Sequence, residues 1–332
     1  MLSEKKEQIK LSDACNSIGV IVCTYDIRRY PDLKEAINSI LRQTYKLSEI
    51  IIVSSGNPAL RDHIKVDFEN HESIKVIYSE TSLSATQARN AGIKIAKSDI
   101  IAFTDDDVIV DKDWAFKIID TYKKTGAIAV GGKVMAVWPT GTPSHLPEEL
   151  YWLVGVYHVS FLADRVQELR NTWGPNMSFR KEVFDIIGDF NENLGFAERG
   201  TSYIQGEEPE FGLRIRNHFG RGFIYNPEAI VYHKIYPYKL KANVLFKRSY
   251  YQGYTKALIQ RKNQQLETLQ PEKSYLLHVI NTYVPQRIKN LVLKPGRFSE
   301  TKKFFMLITC VLLVGIGFVY GYLKYATIRK PA

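Results

Sequence analysis

Three consecutive carboxylates, Asp105-Asp106-Asp107, close an apolar run at residues 99–104. Acids crowded at a strand end repel one another, and a divalent cation is the simplest compensation. Hard oxygen donors suit Mg2+ or Mn2+, with one or two carboxylates completed by diphosphate oxygens and water. Alternate side chains of an extended strand share a face, so Asp105 and Asp107 are expected together and Asp106 opposite them. A second acidic pair, Glu207-Glu208, sits in a polar island, and His233 ends a strand-like run. A positioned carboxylate can act as general base on a hydroxyl group, and an imidazole can ligate a metal. The cysteines, Cys15, Cys23 and Cys310, show no metal-ligand spacing, so neither a cysteine-zinc site nor a disulfide framework is expected.

The elements around these residues read as an α/β chain. Residues 18–23 and 49–53 are short continuous apolar runs, like strands buried on both faces, and residues 74–78 form a third strand. Residues 32–43 carry a helical apolar period, and residues 84–97 read as a helix capped by Ser or Thr. With the strand at 99–104, the order is strand, helix, strand, strand, helix, strand, which implies a mainly parallel sheet. Ligands bind beyond the carboxyl ends of such strands, where Thr24-Tyr25-Asp26, Ser54 to Asn57 and the acidic triplet fall. Farther on, residues 127–137 look strand-like and residues 223–233 read as two short strands.

The segments VIVCTYDIRRYPDLKEAINSILRQT, EIIIVSSGN and SLSATQARNAGIKIAKSDIIAFTDDD resemble the nucleotide-sugar half of glycosyltransferase family 2. That resemblance implies a GT-A fold, a Rossmann-like nucleotide-diphospho-sugar transferase domain with a mixed, mainly parallel sheet. It makes Asp105-Asp106-Asp107 the Asp-x-Asp motif that holds metal and donor diphosphate, with Asp105, Asp107 and His233 as metal contacts. Arg89 and Asn90 match the family helix that borders the nucleotide, and Thr24 and Tyr25 match the turn beside base and ribose. Downstream, residues 174–194 look like the acceptor-side segment, which makes Trp173, Asn176 and Arg180 candidate contacts. Residues 206–233 look like the Glu-Asp-x-x-x-x-x-x-Arg segment, with Glu208 as base, Glu207 its neighbour and Arg214 nearby. Two departures stand out: Ser54 replaces a carboxylate that accepts from the nucleotide base, and Glu207-Glu208 replaces Glu-Asp. The resemblance implies in-line displacement with inversion, a UDP-sugar before other donors, and a catalytic domain over residues 18–238, divided at 107/108.

Charge and hydropathy speak to the partner. The chain has 45 Lys+Arg against 35 Asp+Glu, but 17 of the basic and 3 of the acidic residues lie in 239–332. The remainder is therefore net acidic and lacks the basic face that nucleic acid requires. Residues 304–323 carry no charge, and as a helix they would be roughly 30 Å long, the thickness of a bilayer core. Lys302 and Lys303 precede that stretch, and Lys324, Arg329 and Lys330 follow it. Basic residues are denser before the span, and residues 1–17 form a polar lead-in without a signal core. The expectation is a cytoplasmic body on a single C-terminal anchor, with a short tail at 324–332. Residues 239–303 read as basic amphipathic helices on the anionic membrane face. An acceptor at the membrane follows: a polyprenyl- or dolichyl-phosphate, or a glycan linked to one. Family members with a C-terminal anchor in lipid-linked oligosaccharide assembly, archaeal dolichyl-phosphate hexosyl- and hexuronosyltransferases included, look similar. Two alternatives stay open, a non-catalytic membrane-tethered binder of sugar nucleotide or glycan and an Asp-x-Asp phosphohydrolase.

Overall fold

The structure is a computed structural model that describes residues 15–157, 164–194, 204–262, 269–293 and 298–326. Most of the expected lead-in and tail lies outside the described residues. The first half is built as expected from buried β-branched runs: β1 (Ile18–Thr24), β2 (Glu49–Ser55) and β4 (Ile100–Asp105), with β3 (Ile74–Ser79). These four pair in parallel in the order β3-β2-β1-β4. The helices between them start where local chemistry caps them. Helix α1 (Tyr30–Leu41) has Pro31 in its first turn, where a missing N–H costs nothing. Helix α3 (Ala85–Ile95) opens with a reciprocal box in which Ser84 accepts from Gln87 N and the Gln87 side chain accepts from Ser84 N.

Helix α2 (Pro58–Phe68) departs from the expected strand-strand order. Asn57 caps it by accepting from Leu60 N, and Leu60, Ile64 and Phe68 recur every fourth residue into the core. The Ser-Ser-Gly-Asn-Pro turn therefore ends in a helix start, and the connection is a full crossover between parallel strands.

Beyond the acidic triplet come β5 (Val108–Val110), α4 (Trp114–Thr125), β6 (Ala129–Val137), β7 (Gln167–Leu169), β8 (Met177–Arg180), α5 (Lys181–Ile187), α6 (Glu207–Phe219) and β9 (Phe223–Lys234). Strands β8, β6, β9 and β5 continue the sheet from β4, and β7 pairs with β9. Residues 223–233 thus form one strand, and the local shift is a bulge opposite Gly132 and Lys133. One face of the sheet is covered by α1, α2 and α4, around Leu33, Ile64 and Trp114. The other is filled by an aromatic cluster in which Phe179 contacts Phe103, Phe184, Phe190, Phe211 and Phe223 edge-on.

The C-terminal third is helical: α7 (Ala242–Lys262), α8 (Gln270–His278), a π-helical turn Val279–Tyr283, α9 (Val284–Leu293) and α10 (Phe298–Ala326). Helices α7 and α10 lie side by side in very close contact. A Cβ on Gly253 would stand 1.9 Å from the Val314 carbonyl oxygen, and one on Gly317 would stand 2.0 Å from that of Tyr250. Of the apolar residues of α7, Leu245, Tyr254, Ala257 and Ile259 are buried, and Val244, Phe246, Tyr251 and Leu258 are half-buried. At Leu245, Tyr254 and Ile259 the expectation that this stripe faces a membrane surface is corrected: these side chains pack inside the protein, with Leu245 in a cluster that includes Leu307 and Cys310 of α10. By contrast α10 leaves Phe305, Leu312, Ile316, Val319 and Leu323 exposed.

Because Phe179 is wholly buried at the centre of its cluster, Phe179→Ala should cost about 3–5 kcal/mol, read as a lowered midpoint in urea denaturation.

Candidate active site

Strands β1 and β4 are parallel neighbours with Cys23 opposite Asp105, so their carboxyl ends deliver Thr24 and the acidic triplet to one place. Strand β4 ends at Asp105, and Asp106 and Asp107 form the turn into β5. The expected alternation is therefore corrected, because the strand has stopped: one guanidinium holds both turn carboxylates. Arg29 Nη1 lies 2.7 Å from Asp106 Oδ1 and Nη2 lies 3.1 Å from Asp107 Oδ2. The Thr24 hydroxyl donates to Asp106 Oδ2 at 2.8 Å. Lys239 Nζ lies 2.7 Å from Asp107 Oδ2 and 3.2 Å from His233 Nε2.

Both turn carboxylates are about 1% exposed, so burial raises their proton affinity. Burial and the Asp107 charge push the Asp106 carboxyl up to about 6, against the pull of Arg29. For Asp107, burial acts in the same direction, but Lys239, His233 and Arg29 outweigh it and hold the carboxyl well below the usual range. Neither Arg29 nor Lys239 was anticipated. Arg29 carries a local signal, since the short 3-10 turn Ile27–Arg29 follows β1 directly, where Asp26 caps the turn by accepting from Arg28 N. Lys239 is 132 positions from Asp107 and has no signal in the sequence.

The expected metal trio is only partly assembled. Asp107 Oδ1 is buried without a hydrogen-bond partner and lies 3.4 Å from His233 Nε2. Asp105, a third exposed, turns instead toward Arg89, whose Nη2 is 3.7 Å away. Among the described residues no three His, Cys, Asp or Glu side chains form a cage. The orphaned oxygen of Asp107 beside His233 fits half a site for a hard cation, of the kind that substrate phosphate oxygens complete.

Glu207 and Glu208 open α6, where negative charge suits the helix N-terminus. Gly206 before them has φ of +119°, a conformation that disfavours side chains, and its N–H donates to Glu207 Oε2. Glu207 is buried and accepts from Arg89 Nη1 at 3.1 Å, which ties α6 to α3. Glu208 accepts a hydrogen bond from Gly174 N and faces the cavity. Burial and the adjacent Glu207 charge push the Glu208 carboxyl up to about 8, with Arg89 opposing.

A cavity of about 1540 Å³ joins these parts. Thr24, Tyr25, Arg89, Asp105, Asp106, Asp107, Trp173, Glu207, Glu208 and His233 line it, as do Ser55 and Asn57. It continues past Trp173 to a stripe of α7, Val244, Arg248, Gln252 and Lys256, and to α10. The other expected contacts lie outside this lining and bind the scaffold. Ser54 is buried within β2. Asn90 exchanges hydrogen bonds with the Phe190 backbone, and Arg214 donates to the carbonyls of Ile187 and Asp189. Asn176 joins Trp114 Nε1 to the carbonyls of Lys133 and Ala229, and Arg180 donates to Ala127 O.

The raised carboxyl makes a stability prediction. A carboxyl held above its unfolded value favours the fold below pH about 4.5, and that contribution fades as pH rises through about 8. Glu208→Gln should therefore gain thermal stability over the wild type between pH 5 and pH 8.5, measured as a widening difference in melting temperature.

The profile of Glycosyl transferase family 2 matches residues 19–188. A glucosyl-dolichyl phosphate glucuronosyltransferase of Haloferax volcanii is 33% identical over 319 residues, covering 94% of this chain and 98% of that protein. The succinoglycan biosynthesis protein ExoM of Rhizobium meliloti is 26% identical over 245 residues, covering 72% and 73%. Among solved structures, the mannosyltransferase PcManGT from Pyrobaculum calidifontis, in complex with GDP-Man and Mn2+, matches with a TM-score of 0.59 at 14% identity. The match covers 91% of this chain and 87% of that one, and supports the GT-A fold. Since the profile spans half of the chain and the Haloferax relative spans nearly all of it, the chain belongs to glycosyl transferase family 2.

Proposed function

We propose that the chain transfers a hexosyl or hexuronosyl group from a nucleotide-diphospho-sugar, with inversion, to a sugar hydroxyl of a lipid-phosphate-linked acceptor. The Haloferax relative's name points to glucosyl-dolichyl phosphate as acceptor and glucuronate as the sugar moved. One observation carries the reading: a single cavity has the acid cluster, Glu208 and the apolar α10 in its walls.

The chain's own residues divide the work. Thr24, Tyr25, Ser55 and Asn57 border the space for the nucleoside, with a UDP-sugar the first donor to test. Arg29 and Lys239 are fixed positive charges beside the acid cluster, suited to a departing diphosphate. Asp107 with His233 would hold a divalent cation, Mg2+ or Mn2+, which neutralises charge on that leaving group. Glu208 takes the proton of the attacking hydroxyl, and its raised proton affinity brings it near neutral pH, where a general base is most effective. Arg89 holds Glu207 and thereby the first turn of α6, so it positions the base. We read α10, whose stretch Phe298–Lys324 is long and apolar enough to cross a membrane, as a single-pass anchor that keeps the body at the cytoplasmic face.

Detergent-solubilised protein, a panel of nucleotide sugars headed by UDP-glucuronate, and glucosyl-phosphoryl-polyprenol test this. Nucleoside diphosphate release coupled to acceptor glycosylation is expected, stopped by EDTA and restored by Mg2+ or Mn2+. Glu208→Gln should lower kcat on the order of a hundred- to ten-thousand-fold. In the wild type, kcat/KM should rise with pH through about 8. Undiminished turnover in Glu208→Gln refutes its role as base, and turnover that persists in EDTA refutes the metal.

A further inference from the structure

Away from the donor end, the cavity wall carries a half-buried cationic cluster that the mechanism leaves unused. Arg170 grips both oxygens of Glu272, at 2.9 and 2.8 Å. Lys256 lies 3.6 Å from the same carboxylate, so among the described residues both cations share Glu272. Lys256 Nζ also donates to Gln252 Oε1 at 3.2 Å and lies 5.8 Å from the centre of the Trp152 ring. Gln252 in turn donates to Gln205, three positions before Glu208 in the chain. Burial lowers the proton affinity of Lys256 despite Glu272, the state of an ammonium that gains most from an arriving anion.

The surface next to this cluster is apolar. Val311, Val314 and Phe318 of α10 line the same cavity, and nothing stands within 4 Å of a Cβ built on the intervening Gly315. The cavity therefore presents three kinds of wall: a carboxylate, a cationic cluster and an apolar helix. An amphiphile with a sugar on one side of a phosphate and a long hydrocarbon on the other matches all three.

We propose that Lys256 and Arg170 form the subsite for the acceptor's phosphate, with its hydrocarbon chain laid along the Val311–Phe318 face of α10. This rests on the transferase reading above and specifies its acceptor end. The phosphate displaces Lys256 from its long contact with Glu272, so Glu272 competes with the ligand. A residue that only held the fold would not compete in this way.

The test measures binding of geranylgeranyl phosphate, geranylgeraniol, inorganic phosphate and phosphatidylglycerol to the full chain in detergent. Wild type should bind geranylgeranyl phosphate about tenfold or more tighter than the alcohol, and Lys256→Met should lose that preference while keeping affinity for the alcohol. Lys256→Arg should retain the preference, and Glu272→Gln should bind the phosphate lipid more tightly. Equal affinity of Lys256→Met and wild type for the phosphate lipid overturns the proposal, as does weaker binding by Glu272→Gln. Competition by phosphatidylglycerol or inorganic phosphate as strong as that of geranylgeranyl phosphate assigns the cations to a bilayer headgroup or a free anion, and also overturns it. Nucleotide-sugar turnover is read separately. Lys256-dependent phosphate-lipid binding without turnover of any donor supports this subsite while the transferase reading fails.

Discussion

Two fully buried carboxylates, Asp106 and Asp107, sit side by side at the end of a central strand, and their mutual repulsion must be offset for the chain to fold. Buried charge without compensation costs several kcal/mol per ion. The compensation comes from far along the chain: Arg29 after β1, His233 near the end of β9 and Lys239 just beyond it. The last two belong to the segment that leads directly into α7. The same ion pairs therefore close the sheet around the acid cluster and fasten the C-terminal helices to it. Lys234 and Tyr236 strengthen that seam, since both reach Asp32 of α1.

A second charged contact joins the two halves of the cavity. Arg89 on α3 and Glu207 on α6 meet at 3.1 Å in a buried setting. Glu207 is thus spent on structure, and its neighbour Glu208 is left facing the cavity with its proton held tightly by burial and by the charge beside it. Two adjacent acids of the same type acquire different tasks because one has a guanidinium partner and the other has a backbone N–H. Gly206, in a backbone conformation disfavoured for other residues, sets the turn that lets both acids point this way.

Several site residues were legible before the fold was known, because strand-end position is written in local hydropathy. Thr24, Asp105 and Asp107 line the cavity for that reason, and Glu208, at a helix start, was legible through the family resemblance of residues 206–233. Others of the right type do not. Asn90, Asn176, Arg180 and Arg214 spend their polar atoms on backbone groups that would otherwise be buried unpaired. A sequence shows that a residue is polar and where it lies in an element; it does not show which buried carbonyl needs a donor. Helix α2 escaped for a different reason: only Leu60, Ile64 and Phe68 mark its buried face, and the Asn-Pro start reads equally well as a turn.

Local order along the chain determined the α/β class, the acid cluster at a carboxyl strand end and the uncharged apolar stretch at 304–323. Each of these depends on residues within one element, whose periodicity and caps act over a few positions. Tertiary structure alone decided that Lys239 meets Asp107, that α7 turns its apolar side to α10, and that Lys256 and Arg170 share Glu272. Those pairings join residues tens to more than a hundred positions apart. Charge and burial favour some partner for each group, and only closure of the fold selects which one comes within reach.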